Sequence, residues 1–166
     1  MTFAISRRAA LLGGAALVVS ACGAEAQPSA ANDRYASAPA RRITDAQWRA
    51  RLQPEAYAVL RHAATERPFT SPLNEEHRPG VFACAGCALP LFQSQWKFDS
   101  GTGWPSFYRA INANLITSRD DSAGMVRTEY KCARCLGHQG HLFNDGPLPT
   151  GLRYCNNGVA LTFTPA

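Results

Sequence analysis

The sequence has little net charge, no sustained helical periodicity, and an apolar run from Ala9 to Val19 that is too short to cross a bilayer as a mature helix. Each shortfall excludes a class of protein. The formal charge of +5 falls to +3 once Arg7 and Arg8 leave with a leader cut before Cys22, or to +4 where Glu25 leaves as well, so no nucleic acid partner is expected on electrostatic grounds. Hydrophobic residues at 46% and aromatics at 10% are ordinary for a globular chain, but 13 Gly and 11 Pro favour turns and short elements over long helices. That argues against an α-bundle. No internal repeat appears beyond two short cysteine clips, and the six cysteines organise everything that follows.

Residues 1–26 read as an export signal, because Arg7-Arg8 precede the apolar run and small residues follow it. Ser6-Arg7-Arg8-Ala9-Ala10-Leu11-Leu12 resembles a twin-arginine signal, which carries folded proteins and implies the bacterial periplasm. Two cleavage patterns coexist. Val19-Ser20-Ala21-Cys22 resembles a lipobox that would anchor the protein to the membrane through Cys22, while Ala24-Glu25-Ala26 fits ordinary cleavage. Residues 27–42, rich in Ala, Ser, Pro, Asn and Arg, have little to bury and are expected as a flexible tether. The remaining residues 43–166 are expected to form a single domain, large enough for one modest core.

Within it, Thr44-Asp45-Ala46-Gln47 has capping-box form and opens a short helix with Trp48 and Leu52 one turn apart. A second helix is expected over Glu55 to Glu66, ending before Pro68. After Gly80 the period shortens. Val81 to Cys84, Leu89 to Phe92, Ser106 to Ile111, Leu115 to Ser118, Met125 to Lys131, His141 to Phe143 and Val159 to Phe163 read as strands, with a hairpin at Asp120 to Gly124. The fold class is mainly β, in antiparallel sheets with short helices confined to the N-terminal end.

Cys84-Ala85-Gly86-Cys87 and Cys132-Ala133-Arg134-Cys135 stand 44 residues apart. Each clip presents two sulfurs from one tight turn, and two clips make a closed tetrahedral site suited to structural zinc. The separation is too long for a compact zinc ribbon, so the clips should join two distant hairpins. Disulfides or a redox-active Cys-x-x-Cys are the competing readings, but the βαβ setting of a thioredoxin-like motif is not visible. Four thiolates around a dication bring the net charge to about +1.

Setting aside Cys22 and the clips leaves Cys155. A lone cysteine is usually an inert buried residue. Here Arg153 and Asn157 flank it at the strand period of two, and a positive charge with hydrogen-bond donors favours the thiolate. His138 and His141 lie nearby in sequence. Ser100 to Phe107 adds a segment whose two glycines permit close backbone approach and whose Pro105 fixes the chain beside Trp104.

Taken together, Ser-Gly-Thr-Gly-Trp-Pro-Ser-Phe at 100–107, Arg-Thr-Glu at 127–129, the two clips, His-Gln-Gly-His-Leu-Phe-Asn-Asp-Gly-Pro at 138–147 and Gly-Leu-Arg-Tyr-Cys-Asn-Asn at 151–157 resemble the methionine-R-sulfoxide reductases of MsrB type. The resemblance spans about residues 43 to 165. It implies two small antiparallel sheets, one zinc ion on Cys84, Cys87, Cys132 and Cys135, and Cys155 as the nucleophile. Trp104 would meet the substrate methyl group, and His138, His141 and Asn157 would shape the polar side of the pocket. Asp145 would hold Arg153 near the sulfur. The implied substrate is methionine sulfoxide in oxidised proteins or peptides, acted on by a monomer.

One departure matters: many members carry a resolving cysteine where this chain has Thr102. With the clips committed to metal, no internal thiol remains for Cys155, so an external reductant of thioredoxin or glutathione type is expected. Gly158-Val159, where members often have Ser-Ala, is a smaller departure. A non-catalytic zinc-ribbon-like binding module with an unreactive Cys155 is the alternative from another class. A Cys-His hydrolase would further need a base and an oxyanion hole.

Overall fold

The structure, a computed structural model, describes Met1, residues 33–122 and residues 124–166. The export signal, its Arg7-Arg8 pair and Cys22, and residues 27–32 of the expected tether lie outside the described residues. Among the described residues no helix is long and apolar enough to cross a membrane.

Two helices open the domain. Helix α1 (Asp45–Arg51) begins at the expected capping box, in which Gln47 N–H donates to Thr44 Oγ1 and Thr44 N–H to Gln47 Oε1. Helix α2 (Pro54–His62) has proline in its first turn, where a missing N–H costs nothing. It stops four residues short of the expected Glu66. Ala63 turns left-handed at φ 52, which frees the next residues to leave the helix axis and lets Glu66 reach the far end of the fold.

The strands form two antiparallel sheets, as the sequence suggests. Strands β1 (Gly80–Cys84) and β2 (Pro90–Gln93) join β9 (Leu161–Pro165) in the order β2-β1-β9. The larger sheet runs β3-β4-β8-β7-β6-β5, built from β3 (Lys97–Phe98), β4 (Ser106–Phe107), β5 (Leu115–Asp120), β6 (Arg127–Cys132), β7 (His138–Phe143) and β8 (Arg153–Asn156). The strand expected from Ser106 to Ile111 is only two residues long, because Tyr108 N–H turns away to Trp96 O. The last strand begins later than expected, after a short 3-10 turn at Gly158–Ala160.

Aromatic rings lock the sheets together. Phe92 of β2 stacks on Phe107 of β4 with centroids 4.1 Å apart, and Phe82 of β1 meets the same ring edge-on at 5.0 Å. Tyr130 and Tyr154 extend this cluster through the larger sheet, with centroids 5.5 Å apart. Such pairs add about 0.5–1.5 kcal/mol each beyond the area they bury. Trp48, Val59 and Leu60 of the helices cap the same core.

Residues 33–42, expected as part of a tether, instead lie against the domain. Asp33 pairs with Arg41, whose guanidinium donates to Ala133 O, while Arg34 and Tyr35 donate to Asn114. The correction has a simple cause. Asn114 and the carbonyl at the second clip are half-enclosed polar groups, and this stretch supplies the arginines and the tyrosine that satisfy them.

Candidate active site

Both cysteine clips sit in hairpin turns, the first leaving β1 and the second leaving β6, so folding brings two distant hairpins to one point. Cys84 Sγ lies 3.6 Å from Cys135 Sγ and Cys87 Sγ 3.5 Å from Cys132 Sγ, and all four sulfurs fall within 4.8 Å of one another. Metal–thiolate bonds of about 2.3 Å in a tetrahedron require sulfur separations of about 3.8 Å. The tetrad therefore fits a metal ion. Cys84, Cys132 and Cys135 are buried, and Cys87 partly so. Gln139, fully buried, donates from Nε2 to Cys84 Sγ at 3.4 Å.

Cys155 lies on β8, a strand absent from the expected set because Arg-Tyr-Cys-Asn lacks a clear alternating apolar pattern. Its cross-strand neighbours are Ser106 on β4 and His141 on β7. The latter approach is close because residue 140 is glycine: a Cβ there would meet Cys155 O at 1.9 Å. Cys155 opens on a hollow of about 120 Å³ walled by Trp104, Arg127, His141, Phe143 and Asn157. Burial pushes its thiol pKa up, and this is opposed by the Arg153 charge and by hydrogen bonds from Thr102, Arg153 and Ser106.

Arg153 is itself buried and fixed on two sides. Its Nε and Nη2 each donate to Asp145 at 2.8 Å in a bidentate pair, and its guanidinium lies 4.3 Å above the Phe143 ring. The Asp145–Arg153 pairing anticipated from sequence is present. Trp104 is held by its indole N–H, which donates to Glu66 O at 3.1 Å.

The histidines take different positions. His141 reaches the wall of the hollow, with Nε2 bonded to Asp120 Oδ2 at 2.7 Å. Hydrogen bonds from Ser122, then His141 and Arg127, hold the Asp120 carboxyl well below the usual range. His138 is not on that wall. It is buried behind it, with Nδ1 bonded to Glu129 Oε1 at 2.7 Å, Nε2 without a partner, and its ring meeting that of His141 at 5.4 Å. Burial lowers its pKa despite the carboxylate. Asn157 lines the hollow, but its amide is engaged with backbone: Oδ1 accepts from Glu66 N–H and Nδ2 donates to Gln139 O, each at 3.0 Å.

Four residues were not singled out from sequence. Glu129 and Asp120 orient the histidines, Gln139 ties the sulfur tetrad to the strand ends, and Glu66 receives the N–H groups of Gly158 and Val159. The strand register could have revealed the first of these. Aligning β6 with β7 across the second clip places Glu129 opposite His141.

A family model described as the SelR domain matches residues 52–165. The chain is 58% identical over 123 residues to the "Peptide methionine sulfoxide reductase MsrB" of Thiobacillus denitrificans, an alignment covering 74% of this chain and 93% of that protein. A protein of the same name from Pseudomonas putida is 58% identical over 120 residues, covering 72% and 90% respectively. The corresponding protein of Bradyrhizobium diazoefficiens is 54% identical over 123 residues, covering 74% and 88%.

Proposed function

Because the chain belongs to the SelR domain family, we propose that it reduces methionine sulfoxide in proteins or peptides to methionine, acting on the R epimer through Cys155. The observation that carries this is the placement of Cys155 on a hollow between an indole and an imidazole. A sulfoxide sulfur is a weak electrophile until its oxygen is protonated or strongly hydrogen-bonded. Nucleophile and acid must therefore face each other across a small space.

The residues divide the work as follows. Arg153, Thr102 and Ser106 favour the Cys155 thiolate against the cost of burial. The substrate methyl group rests on Trp104. With Nε2 committed to Asp120, Nδ1 of His141 is the nitrogen that remains to hydrogen-bond the sulfoxide oxygen. Cys155 Sγ attacks the protonated sulfoxide sulfur; the oxygen with its proton then migrates to Cys155 Sγ as the methionine S–O bond and the transient S–S bond both break, leaving Cys155 as sulfenic acid and methionine as the departing thioether. The cysteine sulfur is oxidised by two electrons and the methionine sulfur reduced by two. His138 and Glu129 support the wall from behind. Fixing methyl and oxygen on different walls accepts one hand of a pyramidal sulfoxide.

An external thiol completes the cycle. It condenses with the sulfenic acid, releasing water and forming a mixed disulfide, and a second thiol frees Cys155. Thr102 offers no sulfur for an internal route. Cys84, Cys87, Cys132 and Cys135 would hold zinc, whose chemistry here is structural constraint: a closed set of four thiolates leaves no position for substrate. Export to the periplasm, with an anchor at Cys22, rests on the leader alone and is tested by fractionating cells that express wild type and Arg7→Lys/Arg8→Lys.

Activity on each epimer with dithiothreitol, for wild type and Cys155→Ser, tests the proposal. Turnover of the R epimer that disappears in the variant is expected. Wild-type activity on the S epimer alone, or R-epimer activity that survives in Cys155→Ser, would refute it. No observation favours the non-catalytic binding module.

A further inference from the structure

The reaction hollow, at about 120 Å³, is well below the roughly 300–1,000 Å³ of sites that enclose a small molecule. It suits one side chain. The rest of the substrate must lie outside, and a second concavity of about 330 Å³ begins at the same indole. Trp104 is a wall of both, and the second is further lined by Phe69, Asn74, Lys97, Phe98 and Pro105.

Phe69 is the unusual feature of this groove. It is 73% exposed, so it contributes little to the core, yet its backbone sits in the left-handed region at φ 62. For a bulky residue that conformation is disfavoured. It is held there by its N–H, which donates to Gly103 O at 2.8 Å, and Asn74 Nδ2 donates to the same oxygen at 3.0 Å. Gly103 is left-handed too, at φ 89, and a Cβ on it would come within 2.8 Å of Phe69 and Pro68. Lys97 Nζ donates to Asn74 O at 2.6 Å and closes the floor. The fold thus maintains a strained contact that displays an aromatic side chain to solvent beside the residue that receives the substrate methyl group.

We propose that this groove is a subsite for the polypeptide flanking the methionine sulfoxide, with Phe69 as its apolar platform for a neighbouring hydrophobic side chain. The inference rests on the reductase reading above and deepens it. Its occupant is substrate chain because Trp104 borders both the groove and the space the oxidised side chain enters. A peptide whose methionine sulfoxide lies next to apolar residues would bind across both concavities. Free methionine sulfoxide would use only one.

The test compares free methionine-R-sulfoxide with capped pentapeptides bearing a central methionine-R-sulfoxide flanked by leucine or by serine, all with dithiothreitol as reductant. Phe69→Asn keeps a residue that tolerates φ above zero, and Phe69→Tyr keeps the ring. Wild type should show a lower KM for the leucine-flanked peptide than for the free amino acid. Phe69→Asn should raise that KM about tenfold, the scale of losing one partly buried aromatic contact. Its kcat and its activity on the free amino acid should hold, and Phe69→Tyr should restore the KM. An equal loss on all substrates, or no loss on any, would overturn the inference. Wild-type inactivity on free and peptide R-sulfoxide would instead bring down the reductase reading and this subsite with it.

Discussion

Glu66 offers the sharpest test of how the hollow is held together. Its buried carboxylate accepts the N–H of Gly158 through Oε1 and that of Val159 through Oε2 at 3.0 Å, while its own N–H and C=O hold Asn157 and Trp104. Glu66→Ala keeps the two main-chain bonds and removes both acceptors. Each buried donor left unsatisfied costs about 1–3 kcal/mol, so a loss of about 3 kcal/mol is a conservative sum. For a domain of this size, 1 kcal/mol corresponds to about 3–5 °C in Tm. The variant should therefore melt about 10–15 °C lower, whereas Glu55→Ala, an exposed carboxylate on α2, should stay within about 2 °C. The pH dependence carries a sign. Burial raises the Glu66 carboxyl pKa despite the hydrogen bonds from Gly158 and Val159, so its stabilising contribution is complete below the unfolded carboxyl value and is lost as pH rises through the folded one. The Tm gap between wild type and Glu66→Ala should consequently narrow with rising pH. Differential scanning calorimetry across pH decides it, and a gap below about 3 °C at every pH would show that these two bonds do not secure the turn after Cys155.

Thr102 lies close enough to Cys155 for a side-chain hydrogen bond, so Thr102→Cys should supply the missing internal thiol: treatment with methionine-R-sulfoxide should remove two free thiols, counted by mass, where wild type forms no intramolecular disulfide at Cys155. Arg153→Met removes a charge that counters burial at Cys155, and iodoacetamide alkylation of that thiol should shift to higher pH. His138 is buried with its pKa lowered chiefly by desolvation; its contribution to stability is present above the ordinary imidazole value and lost as pH falls through the folded one, so urea midpoints should drop across that interval in wild type and less in His138→Gln. With zinc held by the four sulfurs as proposed, a chelator should lower Tm by about 15 °C or more, given about 10–16 kcal/mol of apparent binding free energy for such sites.

The parts of the fold that were legible from sequence are those set by local chemistry. The capping box at Thr44 to Gln47, the proline opening α2 and the two clips each announce themselves within a few residues. Strand β8 did not, because Arg153 and Cys155 are placed by an ion pair to the exposed Asp145 and a cross-strand glycine rather than by apolar alternation. Residues 33–42 were misjudged for a related reason: their composition is that of a tether, but Arg34, Tyr35 and Arg41 find polar partners that exist only after the sheets assemble. The candidate nucleophile and the indole were visible through their motifs. The carboxylates that orient the histidines were not, since Asp120 and Glu129 acquire their partners only through the register of β5, β6 and β7.

Gln139 links the four-sulfur cluster to the strand that carries Cys155. Its Nε2 donates to Cys84 Sγ and its Oε1 accepts from Asn156, while its main-chain oxygen accepts both the N–H and the side-chain amide of Asn157. One side chain thus touches a sulfur of the tetrad and the residue that follows Cys155. Asn156 continues the chain of contacts by accepting from Tyr130 at 2.8 Å, inside the aromatic core. Such a network is stiff only while every member is satisfied. If the four sulfurs separate, Gln139 loses its donor's partner in a site that excludes water, and the strand end carrying Cys155 loses one of the few groups fixing its height against His141. The thiol can sit partly buried, with Arg153 beside it, because the tetrad keeps β1, β6 and β7 from drifting relative to β8. The remote cysteines therefore bear on Cys155 through position alone.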